Sequence, residues 1–270
     1  MANETVIAGG CSFTFGHELS DDNNGKTPSK KTWAYGLFEQ LKGTTKYVNV
    51  ARAGSGNSGI ARRVFHALDN EKADEKMVIV MWSFLSRYDW AMPRHKQLEN
   101  TRWTTITPWD TTHGQAEAFR TLASSEPHKQ EWKARKHLMK ETNVGPFANS
   151  LYRYAANQYH EVYLSWKSII WLQNILEKKK IPYMFTLADN SLFYHEIDGH
   201  HEQDPFLNAL YREIDFTNWF SFGERMMGFN QWALLNEYER GTTHPLDKAH
   251  QDAVQLMQKQ FKKIIGGKNV

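Results

Sequence analysis

The chain has 270 residues, 40% hydrophobic and 13% aromatic, which suits one core of ordinary size and a single domain over 1–270. Its 33 basic and 30 acidic residues leave a net charge of +3, which argues against a dedicated nucleic-acid binder. Cys11 is the only cysteine, so a disulfide-stapled fold is excluded. The first residues lack a basic leader region, and no stretch approaches the roughly 18 apolar residues that cross a bilayer. The expectation is a cytoplasmic protein, in a host cytoplasm if viral, with no membrane partner. The oligomeric state is not readable.

Strand and helix signals alternate from the start. Thr5 to Gly9 is a short apolar run closed by Gly9-Gly10, which predicts a buried strand. A polar loop, Ser20 to Lys31, follows. Trp33, Leu37, Phe38 and Leu41 then recur at helical spacing, with Gly43 as a C-cap. Tyr47 to Val50 predicts a second strand. Asn57 or Ser58 caps a helix that carries Ile60, Val64, Phe65 and Leu68 on one face. Met77 to Trp82, the most apolar run, predicts a third strand. This order predicts an α/β fold: a three-layer, flavodoxin-like parallel sheet with helices on both faces. Ligands in such sheets bind beyond the strand carboxyl ends, so the residues after Gly9, Val50 and Trp82 matter most.

The stretch from about 88 to 148 differs. It is polar and rich in aromatic residues (Trp90, Trp103, Trp109, Phe119, Trp132), and it shows no sustained strand pattern. It reads as a mainly helical or irregular insertion or lid, with a helix at Lys129 to Lys140. One long helix is predicted from Leu151 to Leu176, ending in Lys178-Lys179-Lys180. Pro182 to Leu187 is a fourth strand, and a last helix runs from Pro245 to about Ile265.

Two segments at opposite ends carry the chemistry. Gly10-Cys11-Ser12-Phe13-Thr14 follows the first strand and exposes a serine at the ligand-binding edge. His244-Pro245 opens the final helix, where the positive helix end disfavours protonation and keeps the imidazole available as a base. A serine hydroxyl needs such a base before it becomes a nucleophile.

These blocks resemble the SGNH hydrolases, the GDSL esterase and lipase family. Gly-Cys-Ser-Phe-Thr is similar to a variant first block found in bacteriophage and bacterial proteins, with Cys11 where aspartate is usual. The resemblance implies Ser12 as nucleophile and His244 as general base. It implies an oxyanion hole of the Ser12 and Gly54 N–H groups, with Gly56 as the alternative register. It implies a serine esterase that needs no cofactor and no metal, acting on a small-molecule or glycan ester such as an O-acetyl group.

Two departures follow. The family's third block supplies an asparagine donor, and Trp82-Ser83-Phe84-Leu85-Ser86-Arg87 has none, so Asn57, Ser83 or Arg87 would substitute. The family's aspartate stands three residues before the histidine, where this chain has Gly241. The site is then a Ser-His dyad or an incomplete triad, or another acceptor such as Glu237 or Glu239 orients the imidazole. A decayed binding or structural protein on the same fold is the first alternative. A nucleotide-binding module using Gly54-x-Gly56-x-x-Gly59 is the second. His250 lies on an apolar helix face and reads as a hydrogen-bonded core residue. The cluster His195 to Asp204 has no zinc spacing and reads as a solvated loop.

Overall fold

A computed structural model describes residues 4–41, 46–92, 103–114, 144–194 and 204–266. Four parallel strands form the main sheet: β1 (Glu4–Gly9), β2 (Lys46–Asn49), β3 (Glu75–Trp82) and the late strand Tyr183–Leu187, in the order β2, β1, β3, late strand. A bridge from Phe185 to Trp219 adds one more parallel contact along the outer strand. The alternation of side chains sorts the core into two layers. Val6, Ala8, Met77, Ile79 and Met81 face helices α2 (Trp33–Glu39) and the C-terminal helix Asp247–Ile264. Ile7, Val78, Val80 and Trp82 face α3 (Asn57–Asn70) and the long helix Gln158–Lys178. The three-layer α/β sandwich is therefore as expected from the apolar runs.

The aromatic stretch departs from its reading. Tyr88–Ala91 (β4) and Trp103–Ile106 (β5) pair antiparallel as a separate two-stranded sheet, so the late strand of the main sheet is β6. Asp89 anchors this hairpin to α3 through Arg62, at 2.9 Å, and Arg62 also covers the Trp103 ring at 4.4 Å. The helix expected at 129–140 and the cap at Gly43 lie outside the described residues. So does most of the 195–204 cluster, though Asp204 is described and caps α6 (Pro205–Arg212).

The single long helix is two: α4 (Val144–Tyr154) and α5 (Gln158–Lys178). Asn157 makes the break. Its extended backbone and its side chain, which accepts the His160 N–H, start α5 afresh. The cap of α3 is Gly56 rather than Asn57 or Ser58. After α7 (Phe229–Leu235), α8 begins at Asp247, not Pro245. His244 thus stands in the approach to the helix rather than on its first turn. Among the described residues no helix is long and apolar enough to cross a membrane.

His250 is fully buried on α8, and its Nδ1 accepts the Trp33 N–H at 3.2 Å, satisfying a donor at the start of α2. That bond requires the neutral ring. Burial, with the His244 charge, pushes its pKa down to about 3. The unfolded chain takes a proton at this histidine near pH 6.5, and the folded protein refuses it until far lower. Stability from this group is therefore complete above 6.5 and declines as pH falls toward 3. Denaturant titrations of His250→Phe between pH 7 and 4.5 should show a pH slope smaller by about one proton, or about 1.4 kcal/mol per pH unit. An unchanged slope would refute the assignment.

Candidate active site

The strand order puts β1 and β3 side by side where the chain reverses its winding, and the segments leaving their carboxyl ends face each other. Ser12 opens the one-turn helix α1 (Ser12–Phe15) directly after β1. Starting a helix leaves its own N–H without an intrahelical acceptor. Cys11, its neighbour, is fully buried in the layer with Trp33 and Phe229 and points away from the site.

Ser12 Oγ lies 2.7 Å from His244 Nε2, across 232 positions of sequence. On the other side of the ring, His244 Nδ1 lies 2.7 Å from Glu18 Oε2. With the proton on Nδ1, the ring donates to Glu18 and accepts from the serine hydroxyl. The Phe13 ring packs on the imidazole at 4.9 Å and His17 at 5.6 Å, both edge-on, which fixes its plane. Ser12 and His244 are 5% and 8% exposed, so the pair is shielded but reachable.

Glu18 is the residue that the sequence did not disclose. It takes a left-handed backbone, with φ of 69°. Its carboxylate accepts the N–H groups of Thr242 (2.7 Å), Thr243 (2.9 Å) and His244 (2.8 Å), besides the imidazole. Glu237 and Glu239, the acceptors considered from sequence, are both exposed. The carboxylate at the ring is Glu18 because Gly241 leaves it room: a Cβ at position 241 would stand 2.9 Å from Glu18 Cδ. The bare glycine at 241 and the glutamate at 18 are thus complementary in space.

Burial works to raise the Glu18 carboxyl, yet hydrogen bonds from His244, Thr243 and Thr242 outweigh it and hold the group well below the usual carboxylate range. Burial lowers the His244 pKa, against the hydrogen bond and charge of Glu18; His17 and Arg87 lower it further. The imidazole is therefore neutral at pH 7 and free to take a proton. Burial is the largest cause of its lowered basicity.

The proposed donors separate clearly. The loop after β2 is tied to β1 by the Arg52 N–H to Gly10 carbonyl bond, and Gly54 turns within it at φ of 75°. Among the described residues, nothing accepts the Gly54 N–H. Asn57 is not available as a donor. Its Nδ2 donates to Ser83 O and Ser165 Oγ, and its Oδ1 accepts the Ser83 N–H at 2.7 Å. Ser83 is buried and its Oγ accepts from Arg87 Nη1 at 2.9 Å. Gly56 and Gly59 serve packing: a Cβ at 56 would strike the Arg87 carbonyl, at 2.2 Å, and one at 59 the Asp89 carboxylate, at 2.8 Å. A carboxylate beside the glycines opposes a phosphate cradle there. Among the described residues no group of three or more candidate ligands gathers around a metal position.

Neither a protein-family model nor a curated protein matches this chain. Among solved structures, it is similar to a protein of the G-D-S-L family described as lipolytic, from Desulfitobacterium hafniense, at 10% identity over 96% of this chain and 99% of that one, with a TM-score of 0.45. It is similar to the psychrotrophic esterase EstA of a Pseudoalteromonas species at 12% identity over 97% of each chain, with a TM-score of 0.43. A lipolytic G-D-S-L family protein from Veillonella parvula gives 12% identity over 97% of each chain and a TM-score of 0.39.

Proposed function

We propose that this chain is a serine esterase of the SGNH type, with Ser12 as nucleophile, His244 as general base and Glu18 as the acid that orients it. The observation that carries the reading is the unbroken chain of hydrogen bonds from Ser12 through His244 to Glu18, 2.7 Å at each link. As Ser12 Oγ attacks the ester carbonyl, His244 Nε2 takes its proton, and Glu18 stabilises the imidazolium that forms. The carbonyl oxygen gains negative charge and is met by the N–H groups of Ser12 and Gly54. His244 then returns the proton to the leaving alcohol. Water, deprotonated by His244, attacks the acyl-serine carbonyl; the acyl–Oγ bond breaks, the acid leaves, and His244 returns the proton to Ser12 Oγ. No metal or organic cofactor enters these steps.

The aligned relay favours this reading over a decayed site: a buried serine, histidine and carboxylate stand in line with their bonds intact. The test is covalent labelling with a fluorophosphonate, with mass spectrometry to locate the adduct, beside hydrolysis of short-chain 4-nitrophenyl esters. Labelling should fall on Ser12 and vanish in Ser12→Ala, and hydrolysis should drop by about 10³-fold or more in Ser12→Ala and His244→Ala. Equal turnover by the wild type and both variants would remove the enzyme reading.

A further inference from the structure

We infer that the substrate is an ester bearing a second, negatively charged group, and that Arg87 recognises that charge. This rests on the esterase reading and specifies its substrate class.

Arg87 lies five residues beyond the end of β3, the strand beside β1 at the sheet's switch point. Its guanidinium lies over the Phe84 ring, 4.7 Å from the centroid. Phe84 touches Phe13, and Phe13 packs on His244. The positive charge is felt at the imidazole, where it disfavours protonation. Nη1 is pinned to Ser83 Oγ, and Ser83 is itself clamped by Asn57. The arm is therefore fixed, with the ring beneath it and one donor committed.

No described carboxylate pairs with this half-buried cation. The acids around it are engaged elsewhere: Glu18 with the His244 loop, Glu161 with the Tyr88 hydroxyl, Asp110 with the Thr107 N–H and hydroxyl, and Asp89 with Arg62. Placing an uncompensated cation beside the general base costs stability and basicity. A brace for Ser83 would need only a neutral donor, so bracing does not account for the charge. The remaining Nε and Nη2 donors match a carboxylate or phosphate through two parallel hydrogen bonds.

Two esters of similar length separate the cases: 4-nitrophenyl butyrate, which is neutral, and mono-4-nitrophenyl succinate, which carries a carboxylate. The wild type should favour the succinate ester in kcat/KM. Arg87→Gln should lower the succinate-to-butyrate ratio roughly tenfold or more, chiefly through KM, and Arg87→Lys should retain part of it. A ratio unmoved by Arg87→Gln, or an equal loss on both esters, overturns the inference and leaves the esterase reading standing. Calorimetric titration of succinate into Ser12→Ala and Ser12→Ala/Arg87→Gln reads the anion site without turnover. Weaker binding in the double variant supports the inference even if neither ester is cleaved. No binding to Ser12→Ala, or equal binding by both, overturns it.

Discussion

Glu18→Gln is expected to lose about 10⁴-fold in kcat while far-UV circular dichroism stays unchanged. An amide cannot reproduce a carboxylate that accepts three N–H groups and the imidazole, and its NH₂ would turn the ring toward the wrong tautomer. The pH profile should move as well. Glu18 raises the His244 pKa against burial, so its loss leaves burial unopposed. The acid limb of kcat/KM should shift to lower pH in Glu18→Gln. A limb that stays put, with kcat near the wild-type value, would show that Glu18 does not act on the base. Position 241 offers a second check. Removing the glutamate side chain empties the space where a Cβ at 241 would collide with it. Glu18→Ala/Gly241→Asp should therefore recover roughly 10- to 100-fold over Glu18→Ala alone, whereas Gly241→Asp in the wild type should only impair it.

Asn57→Ala should cost about 3–5 kcal/mol in unfolding free energy, and thermal unfolding should fall by roughly 10 °C. The side chain is 2% exposed and satisfies both the N–H and the carbonyl of Ser83, as well as the Ser165 hydroxyl. Truncation leaves those groups buried without partners, and the segment leading to Arg87 loses its clamp. A donor to the oxyanion would behave in the opposite way, with kcat falling and the melting temperature holding. Measuring both on one variant distinguishes them.

These two residues also show what sequence reading reaches. The sheet was legible because β1, β3 and β6 are buried on both faces and read as continuous apolar runs. Ser12 and His244 were legible because each follows a recognisable local signal, a glycine-ended strand and a His-Pro pair. Glu18 carries no such signal. It sits in a polar loop among other acids, and only the three-dimensional path of the 242–244 backbone selects it over Glu237 and Glu239. Asn57 illustrates the converse: its place beside the site suggested chemistry, and its partners assign it to the scaffold. The β4–β5 hairpin escaped because its strands are four residues each, with eleven residues between them and no tight-turn pair. The break at Asn157 hid within an apolar spacing that continued across it.

The bonds that Glu18 accepts from successive amides have a consequence for acid inactivation. One ionised group both latches the strap bearing the base and aligns the base itself. Neutralising that group does two things at once: it releases the strap and frees the ring to swing. Because that group stays ionised well below the usual carboxylate range, mild acid should silence the molecule through the imidazole while the strap stays latched, and this corner should unzip only under far stronger acid.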